Sequence, residues 1–287
     1  MVFRFFRRRR QAKIMAEPFP PEWAELLERS VPHARFLSAE ERARLEDLVQ
    51  VFLREKQFEG ASGLEVTDEM RISVAAQACM LLLGDPETDV YPDLARVVLY
   101  PAPYVAKVRT QSGLVVDERE QVRLGESWDR GVVVLAWSAV EHGARNVHDG
   151  HNVVYHELAH QLDQDHGDAD GAPELPREMR YDRWAEALGR EHARLQDAAE
   201  EGRPTLLDHY GATNPAEFFA VATEAFFEKP LQMRERKPEL YAQLAAYYRQ
   251  DPAARVARVQ AEEAERERAE RAEPKRAKKK KRAREAS

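Results

Sequence analysis

The chain has 287 residues, 33% of them charged, with a net charge of −7 at pH 7 and a single cysteine. One cysteine excludes an internal disulfide framework. No apolar run approaches the ~18 residues of a membrane span, which argues against an integral membrane protein.

Residues 1–16 hold six Arg or Lys and no acid, without the apolar stretch of a signal peptide, so they read as a basic N-terminal tail on a cytoplasmic protein. Ser38-Ala39-Glu40-Glu41 is a capping box, and Leu45, Leu48, Val49, Phe52 and Leu53 follow at helical spacing. A second helix is expected from about Thr67 to Leu83, with Cys79 as a small core residue rather than a catalyst. Arg96–Tyr100, Gly113–Val116 and Val132–Trp137 are rich in β-branched residues and read as strands. A polar loop, Glu141–His151, then leads into a helix capped by Asn152. Further helices are expected over Tyr181–Ala199, from Asn214 to Glu228, and over Leu240–Gln250. Residues 253–273, alternating Arg, Glu and Ala, extend as a charged helix that Pro274 should end, leaving a Lys-rich disordered tail. The expected fold is α+β, mostly helical with a small mixed β-sheet, its working domain spanning residues 17–252.

The most informative stretch is His156-Glu157-Leu158-Ala159-His160, which fits H-E-x-x-H. On a helix, residues four apart share a face about 6 Å apart, so both imidazoles can reach one ion. Glu157 then lies beside that ion, placed as the general base that takes a proton from activated water. A catalytic zinc site usually has a third protein ligand. His166 has the spacing of a longer motif of this type, but Asp163 stands where that motif needs glycine for a sharp turn, so a solvated loop histidine is the better reading. The helix that starts at Asn214-Pro215 is rich in phenylalanine and alanine and so reads as buried. A buried carboxylate needs a partner such as a cation. Glu217 and Glu224 are seven apart on one face, and spacing does not choose between them as ligand and as support for a ligating histidine. Glu217 also sits where a capping-box glutamate belongs. Tyr210 can donate to the oxyanion of peptide hydrolysis, with His209 a weaker competitor. Asp163 either bonds a ligating imidazole or ends the helix. His33, His142, His148, His151 and His192 show no ligand spacing and read as structural or surface residues. No serine or cysteine nucleophile motif is present.

Gly150-His151-Asn152 followed by His156–Asp163 resembles the active helix of the MtfA-like zinc peptidases, and Tyr210–Phe219 resembles their second motif. Tyr100–Tyr104 and Tyr247–Pro252 match further family segments, so the likeness spans about Phe36 to Pro252. It implies that His156, His160 and Glu217 bind one Zn2+, that Glu157 is the base and that Tyr210 assists. It implies a zincin-like metallopeptidase domain over residues 17–252 that cleaves short peptides as an aminopeptidase, and it disfavours His166. The tyrosine seven residues before the glutamate also resembles the anthrax lethal-factor group of zinc peptidases. Family members of enteric bacteria bind a transcriptional repressor of glucose uptake, which implies partner capture as an alternative role.

Charge is uneven. Residues 275–287 add eight Arg or Lys against Glu285, leaving a net −20 for residues 17–274. Such basic ends serve either as contacts to nucleic acid, membrane surfaces or acidic partners, or as solvated tails. By analogy with zincins, the strand Val132–Trp137 is expected at the sheet edge, where an extended substrate adds alongside it past the metal; a central position would remove that docking.

Overall fold

The computed structural model describes residues 2–112, 115–123, 125–128, 131–164 and 169–285, and the side chains of 6–103, 125, 131–164 and 169–269. Its elements in chain order are α1 (Val2–Met15), α2 (Pro21–Ser30), a 3-10 turn (Pro32–Phe36), α3 (Ala39–Glu55), β1 (Gln57–Gly60), α4 (Asp68–Met80), β2 (Arg96–Tyr100), β3 (Tyr104–Ser112) and β4 (Val115–Arg123). Then follow β5 (Gly125–Trp128), β6 (Val132–Ala136), α5 (Trp137–Arg145), α6 (Val153–Gln164), α7 (Tyr181–Glu200), a second 3-10 turn (His209–Ala212), α8 (Pro215–Glu228), α9 (Pro230–Arg236), α10 (Pro238–Tyr248) and α11 (Pro252–Glu285). The fold is α+β, mostly helical with a small mixed sheet.

Local chemistry explains most helix starts. Ser38 and Glu41 form the expected capping box of α3, at 3.1 Å and 2.8 Å. Asn214 caps α8 by accepting from the Glu217 N–H at 3.0 Å. The core runs through α3, α4, β2, β6, α6 and α8, and from Phe218 to Glu228 every residue of α8 is buried. A helix apolar on nearly all sides belongs inside a protein, and any carboxylate it carries must find partners there.

Four strands form one sheet in the order β1-β2-β6-β5, parallel except for β5, which runs antiparallel to β6. β3 and β4 pair as a separate antiparallel ribbon. The expected edge strand is therefore an interior one: Val132–Ala136 is hydrogen-bonded on both sides, and β5 is the edge. Residues 133–136 are all buried, as an interior strand requires. The apolar run was compatible with either position, because β5 gives no hydrophobic signal of its own.

Other expectations also shift. The segment read as a loop from Glu141 is helical through Arg145, since α5 buries Val140, Gly143 and Ala144 on one face. The strand expected over 113–116 is the start of β4 at Val115, while Gly113 and Leu114 lie outside the described residues. Most of the expected N-terminal tail is helical, as α1. α1 packs on α3 and buries Ile14, and its arginines pair with acids of the body: Arg7 with Asp89 at 2.9 Å and Arg10 with Glu55 at 2.6 Å. Helical backbone also continues across Pro274 to Glu285. A proline removes one backbone hydrogen bond, which flanking Ala, Arg, Lys and Glu, all strong helix formers, can outweigh. Arg255 pairs with Glu41 at 2.7 Å where α11 leaves the body, and residues 260–269 are exposed beyond it. Among the described residues no helix is long and apolar enough to cross a membrane.

Candidate metal centre

The start of α6 is fixed from three directions. Asn152 Oδ1 accepts from the N–H groups of Val154 and Tyr155 at 3.1 and 3.0 Å, the expected cap. Its amide Nδ2 donates to Gln77 of α4 at 2.9 Å and to Glu228 of α8 at 3.1 Å. Its backbone N–H donates to Glu224 Oε2 at 2.5 Å. Glu228 Oε2 also accepts from the N–H groups of Gly150 and His151 at 2.9 and 3.1 Å. Burial pushes the Glu228 carboxyl up to about 9, against the bond from Asn152.

This anchoring turns one face of α6 toward α8 and into a cleft of about 940 Å³. His156 Nε2, His160 Nε2 and Glu217 Oε2 meet there. The His156–Glu217, His160–Glu217 and His156–His160 separations are 2.9, 3.3 and 3.3 Å. For zinc–donor bonds of about 2.05 Å, a tetrahedral face has edges of about 3.3 Å, so the trio has the spacing of three ligands to one small cation. Among the described residues this is the one group of three such side chains close enough to share an ion. Two imidazoles and a carboxylate are also a donor set that zinc accepts. The fourth side opens to the cleft.

Glu224 takes the other position that spacing left undecided. Its Oε1 lies 2.8 Å from His156 Nδ1. With the proton on Nδ1 donated to Glu224, the Nε2 lone pair faces Glu217 and His160. Burial disfavours a charge on His156, but the bonds to Glu217 and Glu224 outweigh it and hold the imidazole well above its ordinary pKa. Burial likewise opposes charge on Glu217, while the bonds from His156 and His160 keep its carboxyl well below the usual range. The Glu217 carboxylate faces these rings instead of closing a capping box on Asn214.

Glu157, one residue along α6, is 5% exposed and lines the same cleft; burial raises its carboxyl above the ordinary glutamate value. Tyr210, 46% exposed on the 3-10 turn before α8, donates to Glu217 Oε1 at 3.3 Å. His209 instead turns its Nε2 to the Arg203 carbonyl, 2.9 Å away. Asp163 accepts from the Gly171 N–H at 2.7 Å, tying down the segment after α6 rather than ending the helix, which runs on to Gln164. His166 lies outside the described residues. Cys79 is fully buried, and burial drives its thiol pKa far up, as an inert core residue requires.

Four residues here escaped sequence reasoning. Glu228 stands in the chain only as the last residue of its helix, although its spacing from Glu217 and Glu224 puts all three on one stripe of α8. His142 and His151, read as structural or surface residues, line the cleft. Gly125 on β5 gave no signal, yet it lies directly against Glu157 and Val153.

The sequence model of a family described as glucose-regulated metallo-peptidase M90 matches residues 4–249. The uncharacterized protein slr2042 of Synechocystis sp. is 41% identical over 245 residues, covering 85% of this chain and 89% of that one. Mlc titration factor A of Klebsiella pneumoniae is 34% identical over 244 residues, covering 81% and 87%. The protein of the same name from Escherichia coli is 33% identical over 247 residues, covering 82% and 88%.

Proposed function

Because this chain belongs to the glucose-regulated metallo-peptidase M90 family, we propose that it is a zinc-dependent cytoplasmic peptidase that hydrolyses short peptides as an aminopeptidase. The observation that carries this reading is the convergence of His156, His160 and Glu217 within bonding distance of one shared point, beside a buried glutamate and a tyrosine hydroxyl. His156, His160 and Glu217 would hold the divalent cation, which when bound would supply Lewis-acid chemistry: a polarised scissile carbonyl and a water made nucleophilic near neutral pH. Glu157 accepts the water proton and passes it to the leaving amine. Its raised pKa suits a group that must be base in one step and acid in the next. Tyr210 swings its hydroxyl from Glu217 to the oxyanion. An extended peptide adds along β5, the sheet edge that borders the cleft through Gly125, and so passes the centre.

Metal analysis tests the ligand set. The wild type should hold one zinc per chain and Glu217→Ala should lose it, whereas zinc lost in His166→Ala but kept in Glu217→Ala would overturn the assignment. Glu157→Gln should keep the metal while cleavage drops by roughly 10³-fold.

A second reading follows from the relatives' name, Mlc titration factor A, which describes titration of Mlc. On this reading the chain captures a transcriptional regulator and its peptidase activity is secondary. A pull-down with the purified regulator separates the two: capture that survives Glu157→Gln supports binding as an independent function.

A further inference from the structure

An ideal Cβ built on Gly125 falls 2.6 Å from Glu157 Oε1, 2.7 Å from Glu157 Cγ and 2.7 Å from Val153 Cγ2. Real side chains essentially never approach that closely, so the backbone of β5 lies on α6 with no room for even a methyl group. Val153 and Glu157 are four apart on α6 and form one ridge, and Gly125 crosses that ridge. The strand is held there by its pairing with β6, in which Gly125 faces Leu135. Val153 is β-branched and has little freedom to yield. The carboxylate end of Glu157 is the flexible partner, and it is the part whose position matters.

We propose that Gly125 is a positioning residue for Glu157: by lacking a side chain it lets the edge strand wall the carboxylate into place beside the His156–His160–Glu217 trio. This rests on the reading of Glu157 as general base. The three atoms nearest to that Cβ belong to Glu157 and Val153 and none to a candidate metal ligand, so the closest contact of the strand is with the base. A methyl group at position 125 then displaces the carboxylate by the order of 1 Å, a shift that in a reacting geometry costs about 100-fold.

The test is Gly125→Ala in the full chain. The variant should keep one zinc, show KM within about twofold of wild type and lose kcat by about 100-fold, and its crystal structure should show the Glu157 carboxylate moved. Unchanged kcat, or lost zinc, overturns the proposal. Gly125→Ala with Val153→Ala removes the valine clash and leaves the carboxylate clash. A rate that stays low supports the proposal, and full recovery refutes it. Where Gly125→Ala folds poorly, thermal melts of the metal-free proteins decide. Glu157→Ala removes both crowding atoms, Cγ and Oε1, so Gly125→Ala should lower the melting temperature less in that background than in wild type. Equal losses in both refute the contact. If the wild type cleaves no peptide while this coupling persists, the peptidase reading fails and the positioning contact stands.

Discussion

Glu224→Gln changes no shape and removes one charge, yet the structure predicts a large effect. The carboxylate now accepts twice, from His156 Nδ1 at 2.8 Å and from the Asn152 N–H at 2.5 Å. An amide has one accepting end and one donating end. If its oxygen takes the Asn152 N–H, its NH2 faces His156 Nδ1, which must give up its proton. The proton then moves to Nε2, the nitrogen aimed at Glu217 and His160. If the oxygen instead takes His156, two donors oppose each other at the cap of α6. The first arrangement blocks the lone pair a metal needs; the second leaves a buried donor unsatisfied, at a cost of about 1–3 kcal/mol. Loss of such a supporting partner usually weakens metal binding about 10–100-fold, or about 1.4–2.7 kcal/mol. The assay is zinc competition against a chromophoric chelator at pH 7.5, with urea unfolding in EDTA reporting the metal-free stability. A zinc dissociation constant within twofold of wild type would refute the argument that Glu224 sets the His156 tautomer.

Tyr210→Phe should bind zinc as the wild type does and lose kcat by roughly 10²-fold, read in steady-state kinetics; an unchanged kcat removes the tyrosine from the oxyanion step. In EDTA, the His156–Glu217 pair should stabilise the fold fully between about pH 4.5 and 6.5. His156 is raised above 6.5, so its contribution fades as pH climbs through that raised value; Glu217 is lowered below 4.5, so its contribution fades as pH falls. Urea midpoints across pH should show that plateau, and Glu217→Gln should erase it. Zinc affinity runs the other way above neutrality, strengthening with pH because the ion displaces the His156 proton, and pH-resolved chelator titration should show that slope. Deleting residues 1–16 should cost about 1.5–3 kcal/mol from exposure of the surface that Ile14 covers; a melting curve identical to the full chain would restore the tail reading.

The helices with capping residues, the strand Arg96–Tyr100, the paired histidines and the glutamate between them were legible in the chain, because each depends on neighbours within a turn or two. Caps and periodicity act locally, so local sequence states them. The third member of the trio was not legible in that way. Glu217 and Glu224 share a face and differ by about 10.5 Å along the helix axis, and only the placement of α8 beside α6 assigns one to each nitrogen of the same imidazole. The family resemblance named Glu217, but spacing alone did not. The same holds for the strand order, for Glu228 under the loop before α6 and for Gly125 on Glu157. These are relations between segments far apart in sequence, set by how buried faces pack, and a linear pattern carries no signal of which segment arrives opposite which.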